Sequence, residues 1–230
     1  TDTPTPFDDG GNGTGNYCSW NPLNTTGATL ANGNLEAALT AAGSGEESVR
    51  GTIAVSSGKW YWEETFTVTS NTAGSYGVVS ASAGAGIRLD ATLLTTNAVL
   101  YMAWNGSKAV DSTVTTYGAT YTVNDIIGVA LDLDGGTITF YKNNVSQGAI
   151  SLPTTGIAYT PTFAFEAGSG NCATATNFGQ HTFEYTPPTG YLALNTYNLP
   201  DPTIAIPSAH FDVGLDAGAD ILSTATGLTD

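Results

Sequence analysis

Positive charge is the scarcest feature of this sequence. Five Lys and Arg stand against twenty Asp and Glu in 230 residues, a formal net charge of −15. Binding a phosphate backbone or an anionic membrane surface needs a basic footprint, so no nucleic acid is expected as a partner. The imbalance favours solubility and mutual repulsion between copies. Histidine is nearly absent, with only His181 and His210. No Ser-His-Asp arrangement is legible from their order, and both are expected at the surface. No Gly-rich loop opens a helix, so no nucleotide cradle and no cofactor are expected. No apolar run reaches the length of a membrane-spanning helix, and no stretch after Thr1 reads as a secretory signal, so membrane insertion is not expected. Helical periodicity is scarce too. The one run that reads as a turn or two of helix is NLEAALTAA, residues 34–42.

Cysteine is also rare: Cys18 and Cys172, near the two ends of the expected domain. Two readings stand. A disulfide would clamp the first strand to the loop before the last, stabilising by at most roughly 4–5 kcal/mol in the loop-entropy account. Alternatively both are buried thiols, the common state of unbridged cysteine. No CxxC is present and neither cysteine neighbours a histidine, so metal or thiol chemistry is not expected.

What is abundant points to strands and turns. Apolar residues make up 41% of the chain, enough for a buried core, and Gly alone numbers 28. With Thr, Val and Tyr plentiful, the composition suggests an all-β chain. The organising stretch is VNDIIGVALDLDGGTITFYKNNVSQG, residues 123–148. Ile126, Ile127, Val129, Leu131 and Leu133 form a partly alternating apolar run. Asp134, Gly135 and Gly136 supply turn residues that tolerate positive φ. Thr137–Tyr141 is all β-branched or aromatic. So short a connection forces antiparallel pairing. Further strands are expected at residues 17–23, 50–55, 59–69, 76–81, 93–104, 107–115, 159–166 and 177–185, with a short edge strand at 150–153.

Several phrases in this order resemble the SPRY (B30.2-like) family. IGVALDLDGGTITFYKNN is similar to its central hairpin, and GKWYWE (58–63) to its G-K-x-Y-W-E strand. SYGVVSA (75–81), YTPTFAF (159–165) and NFGQHTF (177–183) resemble three further marks. Together they span about residues 17–196. The resemblance implies a bent antiparallel β-sandwich that acts as a binding module and is not an enzyme. It also implies an extended edge segment where NLEAALTAA reads as helical. Ligand contacts are implied in loops at one end, near residues 43–47, 83–86, 105–108 and 168–171. Trp104, Asn105, Lys108 and Asn171 are the candidate contact residues. The phrases WNPL, SSGKWYWE and NFGQ are similar to SPRY-like units of phage and environmental viral proteins.

Other chemistry is poorly supported. Glu63 and Glu64 invite a glycosidase reading, but adjacent strand residues point to opposite faces. Asp132 and Asp134 share a strand face and could approach Ca²⁺ with Asp125, yet solvation and turn capping account for them. Trp60 and Trp62 fall on one strand face and Tyr61 on the other. One face must be core, and the other could stack on sugar rings. Four N-x-S/T sequons occur, at Asn12, Asn24, Asn105 and Asn144. They matter only in a glycosylating export pathway. No catalytic, cofactor or metal residue is assigned.

The expected organisation is an N-terminal arm (1–16), a sandwich (17–198) and an extended tail (199–230). Pro200, Pro202 and Pro207 make the tail's start a linker. Phe211, Val213 and Leu215 alternate like a strand with no partner of its own, and a lone strand is not stable. The tail, with Phe7 of the arm, is expected to contact a neighbouring subunit, or to begin a further β-module. The chain is therefore expected to be a non-catalytic structural subunit of an extracellular or virion assembly. Its partners would be copies of itself or other assembly proteins. The alternative is a free-standing module that binds surface glycans or peptides.

Overall fold

The computed structural model describes residues 15–40, 47–69, 74–83, 97–165 and 171–200. The chain divides into two units, Thr1–Leu199 and Pro200–Asp230. Beyond Pro200 the second lies outside the described residues, as do Phe7, Asn12, Phe211, Val213 and Leu215.

Two antiparallel sheets stack face to face. The first contains β1 (Trp20–Thr26), β4 (Glu47–Gly51), β6 (Gly74–Ser80), β7 (Ala98–Met102), β8 (Ser107–Val110), β9 (Thr113–Thr116) and β13 (Tyr159–Phe165), in the order β1-β4-β13-β6-β7-β8-β9. The second contains β2 (Ala28–Ala31), β3 (Glu36–Thr40), β5 (Lys59–Thr69), β10 (Ile126–Asp132), β11 (Thr137–Lys142), β12 (Val145–Ser151) and β14 (Asn171–Asn177), in the order β12-β11-β10-β5-β14-β3-β2. The short β15 (Leu192–Ala193) runs parallel to Trp60–Tyr61 of β5, continuing the ladder where β14 stops opposite Glu63. The expected all-β sandwich is the fold observed, with no α-helix among the described residues.

The organising hairpin pairs Ile127 with Lys142 through Asp132 with Thr137. Its turn places the positive φ on Gly136 (65°), while Asp132 Oδ1 accepts the Gly135 N–H at 2.7 Å. The next turn uses Asn143 and Asn144 at φ 46° and 68°, the left-handed pair a two-residue hairpin favours. Trp60, Trp62, Glu64 and Phe66 point inward from β5. Phe66, Tyr76, Tyr101, Tyr121, Phe140 and Phe163 form a linked aromatic cluster between the sheets. Trp20 donates its indole N–H to Thr176 Oγ1 at 3.1 Å and meets Phe178 edge-on. The inner strands of the first sheet are buried on both faces. Val78, Val99 and Tyr101 belong to the main core, and Val79, Leu100 and Met102 to a second, smaller cluster. Gly77 permits this packing, since a Cβ there would sit 1.9 Å from Val99 O.

Three sequence expectations need correction. NLEAALTAA is not helical: Glu36–Thr40 is strand β3, between β2 and β14. Leu39 enters the core while Ala38 stays half-exposed, a period of two that Ala-rich composition disguises. The closing strand is Asn171–Asn177 and not 177–185. The Asn177 side chain ends it, accepting the Gly179 and His181 N–H groups. The run expected as one strand at 107–115 is the hairpin β8–β9, turned at Asp111 with φ 50°.

The two ends of the sandwich meet. Tyr17 and Asn195 form an antiparallel bridge, Cys18 N–H donates to Leu194 O at 2.9 Å, and Asn16 N–H donates to Thr196 Oγ1 at 2.8 Å.

Candidate functional site

Among the expected ligand loops, Asn105–Lys108 is the one fully described. Trp104 stands at the turn after β7 with half its surface (50%) exposed. The turn beneath it is firmly held. Asn105 Oδ1 accepts the Ser107 N–H at 2.9 Å, and the Gly118 N–H donates to Gly106 O at 2.7 Å. Gly106 adopts φ 69° against Gly118, where a Cβ would lie 2.1 Å from the carbonyl oxygen. Lys108 Nζ sits 5.5 Å from the centre of the Tyr117 ring. Asn171 is exposed at the start of β14. Register carries it to the same end of the sandwich: Cys172 lies opposite Thr69, Phe165 opposite Gly74, and Ser75 opposite Met102.

The other candidates separate. Asn24 is half-buried in β1, and Asn144 is exposed in the β11–β12 turn. Cys18 and Cys172 are both buried and are not joined in a disulfide. Burial pushes the Cys18 thiol up to about 11, against hydrogen bonds from its neighbours. Lys59 Nζ contacts Asp132 Oδ2 at 2.8 Å, and Asp134 Oδ1 accepts the Gly58 N–H at 2.8 Å. Asp125 contacts Lys142 Nζ at 3.2 Å. These carboxylates serve ion pairs and turns, and no group of three His, Cys, Asp or Glu among the described residues could hold a metal ion. Desolvation alone would raise the Asp132 carboxyl. The Lys59 hydrogen bond and the Gly135 N–H outweigh it and hold the group below its ordinary value.

Glu63 and Glu64 do point to opposite faces, and each has structural work. Glu64 is buried between the sheets, where Oε1 accepts the Trp62 indole N–H at 2.8 Å. Glu63 faces outward but is covered by the segment after β14. Its Oε1 accepts the Tyr61 hydroxyl and the Tyr185 N–H, and its Oε2 accepts the Glu184 N–H. Phe183 packs edge-on over Tyr61 at 5.0 Å. Tyr61 is therefore 2% exposed and offers no ring to a sugar.

That covering segment creates the concave surface the sequence did not reveal. Two adjoining grooves, about 520 and 300 Å³, share His181, Thr182 and Glu184. The smaller lies on the outer face of the second sheet. Its floor follows from register: Ile126 and Ala175 flank Thr65, one row along from Glu63. No sequence motif joins Glu63 to Glu184, which are 121 positions apart. The outward-facing Glu of the YWEE run was the only hint.

No curated protein matches this chain. Among solved structures, the SPRY domain of human HERC1 superposes with a TM-score of 0.59 at 19% identity, covering 71% of this chain and 100% of that one. The stonustoxin structure matches with a TM-score of 0.52 at 19% identity, over 70% of this chain and 27% of that one. The PSpry domain of TRIM65 matches with a TM-score of 0.52 at 14% identity, over 69% and 90%. At such identities these likenesses establish the fold. The family profile described as SPRY domain matches residues 59–181, more than half of the sequence. The chain belongs to the SPRY domain family.

Proposed function

We propose that this chain is a non-catalytic, protein-binding subunit of an extracellular or virion assembly. SPRY domains mediate protein–protein interactions, which supports protein partners for this one. The observation that carries the reading is Trp104. It is a half-exposed aromatic on a turn pinned by Asn105 and Gly106, the kind of rigid anchor that dominates binding interfaces. Asp125, Asp132, Asp134 and Glu64 are engaged in ion pairs, turns and the core, which supports a binding role over a catalytic one. The strongly acidic composition makes copies repel one another, so association has to come from specific contacts. In this reading Phe211, Val213 and Leu215 of the tail add a strand to a neighbouring copy.

Light scattering on the whole chain against residues 15–200 tests the assembly. Polymers from the first and monomers from the second support it; monomers from both overturn self-assembly. A second reading, glycan attachment, draws on the same exposed Trp104 beside Asn105 and Lys108, since an exposed indole can stack on a sugar ring. Quenching of Trp fluorescence across a glycan panel, absent in Trp104→Ala, would favour it.

A further inference from the structure

We propose that the smaller groove on the outer face of the second sheet is a docking site for an arginine side chain on an extended segment of a partner protein. The proposal rests on the protein-binding reading and gives that reading a second surface, distinct from Trp104.

The floor consists of Ile126, Thr65 and Ala175, all half-buried and presenting aliphatic carbons. Such a surface suits the methylene stem of a long basic side chain, which buries its carbons and keeps its charged head polar. At one end of the floor stand two carboxylates. Glu184 is exposed on the rim. Glu63 is only 4% exposed and is fixed by three protein donors, two on Oε1 and one on Oε2. A carboxylate offers about four acceptor positions, so one remains, on Oε2. The Tyr61 ring fills the space over Gly128, opposite Glu63 on β10, so the groove reaches Glu63 from the Thr65 side, where Glu63 and Thr65 both line it.

The charge pattern selects the occupant. No Lys or Arg lines the groove, and the one basic group on it is His181. Glu36, opposite Ala175 on β3, adds a third carboxylate nearby. The net charge of −15 reinforces the attraction for a cation. Arginine suits the site better than lysine. Its planar fork can donate to Glu63 Oε2 and to Glu184 together, and it is less strongly hydrated than an ammonium.

The test is a titration of the whole chain with acetyl-Gly-Arg-Gly-amide, followed by amide NMR shifts. The control is the citrulline analogue, which has the same shape without the charge. Saturable shifts at Thr65, Ile126 and Ala175 are expected with the arginine peptide. Binding should be about fivefold weaker with citrulline, and weaker by a similar factor in Glu184→Gln, as suits one partly exposed ion pair. Glu184→Gln keeps the backbone bond to Glu63. Ala175→Arg, which fills the groove from within, should abolish the shifts. Absence of shifts at these three residues, or equal affinity for the two peptides, overturns the proposal. Failure here with partner binding still lost in Trp104→Ala would remove the groove alone. Peptide binding without any protein partner would remove the assembly reading and keep the groove.

Discussion

The Trp62 indole donates to Glu64 Oε1 across 2.8 Å, and both side chains are fully buried between the sheets. Glu64 Oε2 has no partner. Burial, only partly opposed by the Trp62 bond, pushes this carboxyl well above its ordinary value of 4.5. The unfolded chain therefore loses this proton first as pH rises. Between pH 4.5 and the displaced folded value the folded state holds more protons, so this group makes stability fall with rising pH. Below pH 4.5 both states are protonated and its contribution is flat. Each unit of displacement covered costs about 1.4 kcal/mol. Glu64→Gln should remove that slope, which urea unfolding between pH 5 and 8 would read. Parallel slopes for the two proteins would refute a protonated Glu64.

Cys18 and Cys172 should be silent towards thiol reagents in the native state, because both are buried and the Cys18 thiolate is disfavoured. Two thiols should titrate after unfolding without reductant. Immediate native reaction, or fewer than two thiols in the unfolded chain, would contradict the structure.

Gly77→Ala should be among the most damaging single-methyl changes. The added carbon would meet the Val99 carbonyl at the β6–β7 pairing, where backbone on both sides resists moving. The loss should lie at the upper end of the ~1–3 kcal/mol typical of overpacking, read from the denaturation midpoint. A midpoint within experimental error of the parent would show that the two strands can separate locally.

Trp104→Ala should change stability by no more than about 0.5 kcal/mol, as for a surface position. If Trp104 anchors a partner, affinity should fall by about 2 kcal/mol or more, measurable by calorimetry. Unchanged affinity would move the binding surface elsewhere.

The parts of the fold that were legible in the sequence are those where local chemistry and tertiary contact agree. Ile126–Asp132 and Thr137–Lys142 alternate, carry β-branched residues and meet at a turn whose glycine takes the positive φ. The opposed directions of Glu63 and Glu64 followed from strand geometry alone. Glu36–Thr40 misled because Ala and Leu favour helix in isolation, and pairing with β2 and β14 overrides that weak preference. Phe183 reads as strand, but Asn177 turns the chain and lays the ring on Tyr61. The groove was invisible because Glu63 and the backbone of Glu184 and Tyr185 meet only through folding. Trp104 is the reverse case. Its place in a loop resembling a ligand contact was legible, but its exposure was not, since Trp60 and Trp62 lie in equally aromatic sequence and are buried.

The bridge between Tyr17 and Asn195 has a mechanical consequence. The chain enters and leaves the sandwich at one corner, on antiparallel neighbours held by the Asn16–Thr196 and Cys18–Leu194 bonds. Tension applied through the two flanks would load these bonds one after another, as in opening a zipper. The two sheets behind them would feel no shear until the clasp had parted. A domain tethered this way yields first at its neck, and its loop end can stay in register with a partner while the neck gives.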